Sequence, residues 1–317
     1  MCINYNLKYM EYIMKFIKLI SWFVLPLSLS VLANDVSDDS TAVSRSGSSV
    51  ITQQQGSSLV DALKKDYNDT SQDCNGSPAF LCSGITFRGN KPGNYHVWNP
   101  SPNAIKSGGV SFSYLRKDSK YTRLAYGYDS GYIIYQIFGA PQGKRDLDYL
   151  CFFPIDADSN HRNYNGCGEN IDYKGSSRSC DQQNIYTASE WKSHYYDTHG
   201  DKHHHQCSFN LRETAPSDTS RNFSEGIKSM AKISSESFGT QNELRLAVWP
   251  QNIGRELPIQ AFFYTADSGY NGRNEAQSYQ KDFYQTTGIA IPVIKMKLPD
   301  HSNQDAQFLF SISDQAI

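Results

Sequence analysis

Two polar residues at the start of one predicted strand have the types and spacing needed to stabilise charge in a reaction. Gln241 and Glu243 stand directly before an apolar alternation at Leu244, Leu246 and Val248. Such alternation predicts a half-buried strand, and side chains two apart on an extended backbone share one face. A carboxylate fixed there could stabilise developing positive charge. The alternative is a polar turn that leads into a core strand.

Two earlier stretches carry residues that could assist such a carboxylate. Arg88 ends a predicted short strand over 84–89, and Ser111 and Ser113 alternate with apolar residues in a second strand over 110–114. The donor fork of arginine suits phosphate groups, and hydroxyls can orient a carboxylate. Solvent-facing positions on ordinary strands are the alternative for all three residues.

The remaining patterns predict the elements that would hold these residues in an α+β domain. They favour a helical turn over 103–109, helices over 118–126, 224–238 and 274–286, and strands over 132–138, 257–264, 289–298 and 307–311. Tyr95 and Trp98 precede the helical turn and could stack on a flat ring, although packing against the core is favoured.

The N-terminal segment predicts export from the cell. Lys15 and Lys18 precede an apolar run over 19–32, and small residues before Asn34 predict signal-peptide cleavage near Ala33. Residues 34–71 are rich in Ser, Asp, Gln and Thr, which predicts a flexible leader. Residues 72–317 would then form a single domain, secreted to the periplasm or the medium.

The charge balance excludes some partners. Removal of residues 1–33 brings the formal charge from −2 to about −4, and a mildly acidic chain is not expected to wrap nucleic acid. No later stretch is apolar enough to predict a membrane span.

Cysteine usage agrees with export. Six cysteines follow the predicted signal peptide, so disulfides are expected, and we expect the near neighbours Cys74 and Cys82 to pair. The other four lie in a Cys-, Asn-, Tyr- and His-rich region over about 139–221, which we interpret as a surface insertion tied by disulfides.

The insertion also holds a histidine cluster that includes His194, His199, His203, His204 and His205. Imidazoles are common ligands of transition metals. Adjacent histidines alternate faces on a strand and their spacing matches no established zinc pattern, so a solvated loop is favoured and no metal site is predicted.

Taken in chain order, Phe87-Arg88-Gly89, Ser111-Phe112-Ser113 and Gln241-Asn242-Glu243 resemble the arginine, serine and glutamate signature of ADP-ribosyltransferase toxins of the cholera and pertussis type. Residues 102–109 and 132–141 are similar to the segments that follow the family's arginine and serine motifs. The overall layout also resembles the halovibrin-like secreted proteins, which are described as NAD-consuming enzymes. The chain departs from the family in its short spacing from Arg88 to Ser111 and its longer insertion, and His96 is the nearest candidate for the family's histidine.

The resemblance implies two packed mixed sheets around an NAD cleft, flanked by helices. It implies that Glu243 stabilises the oxocarbenium-like transition state and that Gln241 orients the nucleophile. Ser111 and Ser113 would hold the carboxylate and the ribose, and Arg88 would bind an NAD phosphate. NAD would be the substrate, with no other cofactor.

The reaction product would depend on the nucleophile. Transfer to a protein acceptor would make the enzyme a mono-ADP-ribosyltransferase, and transfer to water would make it an NAD glycohydrolase. Either would act as a toxin or a virulence or colonisation factor, whose acceptor or partner subunit the sequence does not identify. Two other hypotheses are a non-catalytic secreted binding protein and a metal-dependent hydrolase that uses His203 and His205.

Overall fold

A nine-stranded mixed sheet forms the centre of the fold. The computed structural model describes residues 50–124, 127–136, 147–156, 167, 179–197, 206–213, 215–237, 239, 241–249, 257–265 and 271–317. The strands are the short pair β1 (Asp73–Cys74) and β2 (Ser77–Pro78), then β3 (Ile85–Gly89), β4 (Gly109–Leu115), β5 (Ser130–Ile134), β6 (Tyr149–Phe153), β7 (Phe209–Asn210), β8 (Glu243–Ala247), β9 (Ile259–Thr265), β10 (Val293–Lys297) and β11 (Gln307–Leu309).

The order across the sheet is β11-β10-β9-β5-β3-β4-β8-β6-β7, and β1 pairs with β2 separately. Strands β9 and β10 are parallel, whereas the other neighbours are antiparallel. The α+β prediction is confirmed. The expected pair of packed sheets differs from what is observed, because β4 hydrogen-bonds to both β3 and β8 and joins the strands into one sheet.

Helices cover the sheet on both faces. They are α1 (Gln53–Asn68), α2 (Pro102–Ser107), α3 (Ala188–Asp197), α4 (Pro216–Ser237) and α5 (Gly272–Thr287). Side chains alternate along each strand, so Tyr132 joins one core cluster with Phe283 of α5, and Ile133 joins another with Leu63 of α1. The predicted helices over 224–238 and 274–286 correspond to α4 and α5.

Helix α1 corrects the expectation of a flexible leader over 34–71 for its described part, residues 50–71. Thr52 caps the helix in a reciprocal capping box with Gln55, and Leu59, Leu63 and Tyr67 are buried on one side. One compact unit spans Gly47–Ile317 and therefore includes this helix. The predicted signal peptide lies outside the described residues.

A turn replaces the helix expected over 118–126. The Arg116 guanidinium binds the Asp118 carboxylate through Nε at 2.6 Å and Nη2 at 2.9 Å. The Ser119 amide donates to the Arg116 carbonyl, which closes a turn instead of starting a helix. The described part of this segment, through Leu124, contains no helical turn.

Three disulfides are present among the described residues. The predicted Cys74–Cys82 pair is confirmed, and the other pairs are Cys151–Cys167 and Cys180–Cys207. The region over 139–221 is therefore tied by disulfides, as expected. Its placement wholly on the surface was wrong, because the apolar strand β6 lies inside the sheet next to β8 with every residue buried.

Candidate active site

Three neighbouring strands of the sheet bring the candidate residues together. In the register of β3 with β4, Phe87 lies opposite Ser113, and in the register of β4 with β8, Ser111 lies opposite Arg245. Arg88 is the last residue but one of β3, Glu243 is the first residue of β8, and both contact Ser111. The spatial convergence of Arg88, Ser111 and Glu243 is therefore observed, whereas their chemical roles stay predictions.

The contacts between these residues are direct. The Ser111 hydroxyl donates a hydrogen bond to Glu243 Oε1 at 2.5 Å. Arg88 Nη1 donates to the Ser111 carbonyl oxygen at 2.5 Å. Ser111 thus connects the candidate phosphate-binding cation to the candidate catalytic carboxylate, and it orients one oxygen of that carboxylate.

Arg245 is a site residue that the sequence reasoning missed. Its Nη1 atom lies 3.2 Å from Glu243 Oε1 and donates to Ser111 Oγ at 2.5 Å, and its Nη2 atom donates to Ser107 Oγ at 3.0 Å. Both partners of the ion pair are about 1% exposed. The sequence feature that could have identified Arg245 is its spacing, because Glu243 and Arg245 stand two apart on one strand and share a face.

Gly109 makes room for this guanidinium. A side-chain carbon at Gly109 would lie 3.0 Å from Arg245 Nη2 and 3.2 Å from Nε, which is tighter than most such contacts and would push the guanidinium away by a few tenths of an ångström. Glycine at the start of β4 therefore lets Arg245 reach Ser107 at the end of α2.

An open cavity of about 420 Å³ lies over this cluster. Its lining includes Arg88, Lys91, Tyr95, Ser111, Tyr128 and Arg245. Three of these side chains are cationic, and no carboxylate belongs to the described lining. The cavity therefore favours an anionic ligand.

Glu243, Ser113 and Gln241 lie outside the described lining of that cavity. Glu243 is buried behind Ser111 and Arg245. Ser113 is buried beside the phenol of Tyr121. Gln241 is partly exposed, and its carbonyl accepts a hydrogen bond from the Asp156 amide at 2.8 Å. Of the five predicted site residues, only Arg88 and Ser111 therefore belong to the described lining of the cavity.

Asn242 fixes the start of β8 and was not assigned a role from sequence. It is fully buried, its Oδ1 atom accepts from the Tyr114 amide at 2.8 Å, and its Nδ2 atom donates to the Tyr114 carbonyl at 2.7 Å. This pair of bonds mimics a strand partner for Tyr114. It holds the residue before Glu243 against β4.

A second cavity of about 580 Å³ adjoins the same loop and is lined by Tyr95, His96, Ser278, Tyr279 and Asp282 among others. The His96 and Asp282 side chains are 2.8 Å apart, and His96 stacks on Trp98. Tyr95 lines both cavities. Trp98 is fully buried against Phe283, so packing explains Trp98.

Burial also acts on the tyrosine next to Arg88. It raises the pKa of the Tyr132 phenol, and the positive charge of Arg88 partly offsets this rise. Tyr132 therefore stays neutral at physiological pH and leaves the local charge to Arg88.

Only one residue of the predicted histidine cluster lies within the described residues. His199, His203, His204 and His205 lie outside the described residues, and His194 lies on α3. Within the described ranges, no group of three His, Cys, Asp or Glu side chains could hold a metal ion. The metal-dependent hydrolase therefore stays a prediction.

Comparison with known proteins leaves the geometry as the main guide to function. No protein family model matches the chain, and no curated protein matches it either. In the part of the chain that the structure describes, no helix is both long enough and apolar enough to cross a membrane.

Proposed function

We propose that this protein is a secreted NAD-cleaving enzyme that breaks the bond between nicotinamide and ribose. The observation that carries this proposal is the convergence of Arg88, Ser111 and Glu243 from three adjacent strands beneath a cationic cavity. The three disulfides support export, because such bonds persist in oxidising compartments.

The chemistry requires a carboxylate near the ribose. Loss of nicotinamide leaves positive charge on the sugar ring, and an oriented carboxylate stabilises the oxocarbenium-like transition state. Glu243 supplies the anion, and the hydroxyl of Ser111, 2.5 Å from Oε1, fixes its orientation. Arg88 binds a phosphate through its donor fork.

The remaining roles follow the resemblance to ADP-ribosyltransferases. Gln241 orients the nucleophile, and Ser113 assists Ser111 in holding the carboxylate and the ribose. The nucleophile is water in a glycohydrolase and a protein side chain in a mono-ADP-ribosyltransferase. Labelled NAD, incubated with and without candidate acceptor proteins, distinguishes the two reactions by whether label enters protein.

The first test is nicotinamide release from NAD by purified protein. Glu243→Gln keeps the size of the side chain but removes its charge, so we expect the rate to fall at least about 100-fold. Glu190→Gln is the matched control because Glu190 is exposed on α3, and it should retain the full rate.

Thermal unfolding of both variants separates a chemical effect from loss of the fold. Full activity in a folded Glu243→Gln variant would reject the proposed mechanism. Absence of NAD turnover in the unaltered protein, with or without acceptor proteins, would favour the non-catalytic binding protein instead.

A further inference from the structure

The cavity over the site holds more positive charge than one phosphate needs. Arg88, Lys91 and Arg245 all line it, and the described lining has no carboxylate. The Lys91 ammonium lies 5.7 Å from the centre of the Tyr128 ring, which also lines the cavity. Two guanidinium groups and an ammonium group suit a ligand with two linked anionic centres.

One of these cations is already paired. Arg245 Nη1 lies 3.2 Å from Glu243 Oε1 in a buried ion pair. Ser107 and Ser111 accept two further hydrogen bonds from the same guanidinium. Arg245 therefore forms part of the cavity wall, although only about 1% of it is exposed, and it neutralises the candidate catalytic carboxylate on its other side.

This arrangement places a cation beside the group that must stabilise positive charge. A guanidinium held on Glu243 opposes an oxocarbenium-like ribose, because it cancels the field of the carboxylate. An anion that entered the cavity would compete with Glu243 for Arg245. Ser111 would still donate to Glu243 after Arg245 turned to such an anion.

We propose that Arg245 is a second anion-binding residue of this cavity and that the diphosphate of a ligand replaces Glu243 as its charge partner. The ligand class is a molecule with two linked phosphates, and the inference rests on the proposed function in taking that molecule to be a dinucleotide. Arg245 acts as a positioning residue. It releases the negative charge of Glu243 only when the diphosphate is bound.

Titration calorimetry with inorganic pyrophosphate tests the exchange directly. We expect pyrophosphate to bind more tightly than orthophosphate. Arg245→Lys keeps the charge but loses the fork, and should weaken pyrophosphate binding at least about tenfold. Lys106→Gln, which removes an exposed cation on α2 outside the cavity lining, should leave the affinity unchanged.

The Glu243→Gln variant should change the affinity for pyrophosphate in the opposite direction from Arg245→Lys. It removes the anion that competes for Arg245, so pyrophosphate should bind several-fold more tightly while nicotinamide release is lost. Because the loss of any nearby negative charge strengthens anion binding, the gain supports the exchange only if it disappears when Arg245→Lys is added to Glu243→Gln. Unchanged or weaker binding in Glu243→Gln, unchanged binding in Arg245→Lys, or equal affinities for the two phosphates would each overturn the inference.

The two proposals fail in different ways. If the protein binds pyrophosphate as described but does not cleave NAD, the anion exchange stands and the proposed reaction falls. If it cleaves NAD but Arg245→Lys changes neither KM nor pyrophosphate affinity, the reaction stands and the exchange falls. Near-ultraviolet circular dichroism of each variant confirms that the titrated protein is folded.

Discussion

A single hydroxyl has two charged partners at the centre of the site. Ser111 accepts a hydrogen bond from Arg245 Nη1 at 2.5 Å and donates one to Glu243 Oε1 at 2.5 Å. Its backbone carbonyl also accepts from Arg88. The residue on β4 thus fixes the relative positions of one carboxylate and two guanidinium groups.

Asp66 on α1 provides a residue-scale prediction about pH. Burial raises the pKa of its carboxyl from 3.8 to about 6, and Lys65 opposes the rise. The folded protein therefore binds this proton more readily than the unfolded chain, so the contribution to stability is present below about pH 4 and is lost as the pH rises through about 6. Asp66→Asn should raise the free energy of unfolding at pH 8 by about 1 kcal/mol, since partial solvent exposure screens the effect.

Urea unfolding at pH 4 and pH 8 checks this expectation. The gain should disappear at pH 4, where the carboxyl is mostly protonated in the folded state. Asp61→Asn on the same helix is the control, because Asp61 is exposed. A gain in Asp66→Asn that is equal at both pH values would contradict the assignment.

Helix α1 contributes to the core at the scale of the element. Leu63 is fully buried in the cluster that joins α1 to Phe87 and Phe263 of the sheet. Leu63→Ala should reduce the free energy of unfolding by about 3 kcal/mol, because it removes buried apolar surface and leaves a cavity. Lys64→Ala, at the exposed neighbouring position, should change it by less than about 0.5 kcal/mol.

Chemical denaturation of the two variants measures this difference. Equal stabilities would mean that α1 unfolds apart from the sheet, as expected of a leader. A large loss in Leu63→Ala alone would confirm that the helix belongs to the cooperative unit.

The sequence predicted those elements whose apolar spacing is regular. The alternation around Phe112 gave the correct faces of β4, and the spacing of Ile227, Met230 and Ile233 gave the buried side of α4. Helix α1 was missed because its Ser- and Gln-rich composition hides four buried apolar positions. Local capping by Thr52 and packing against a distant sheet decide its structure.

The candidate site was predictable only in part. The order of Arg88, Ser111 and Glu243 along the chain pointed to convergence, which the sheet provides. Arg245 was missed because an arginine in an alternating run is usually exposed, whereas here Gly109 leaves space for it to be buried. Such a contact depends on the pairing of β4 with β8, which local patterns do not encode.

At the scale of the whole molecule, the disulfides stabilise the region that follows β6. Cys180 and Cys207 are 27 residues apart, and the Trp191 indole donates to the Cys207 carbonyl at 3.1 Å within the same apolar cluster. Replacement of both cysteines by alanine should lower the free energy of unfolding by about 3 kcal/mol.

The Cys74–Cys82 pair is the matched comparison, because only 8 residues separate its cysteines. Its double alanine variant should lose about 1 kcal/mol less, since a shorter loop restrains the unfolded chain less. Urea unfolding of both variants under non-reducing conditions measures the two losses. A larger loss for the shorter loop would contradict the argument from loop length.

The separation of Ser111 from Glu243 by 132 positions has a consequence for the cell that makes the protein. Contacts between such distant parts of a chain form slowly, because the entropy of closing a long loop opposes them. If the protein is exported and cleaves NAD as proposed, an unfolded polypeptide awaiting export has no assembled catalytic centre. The producing cell would then be exposed to NAD cleavage only by chains that had folded before export.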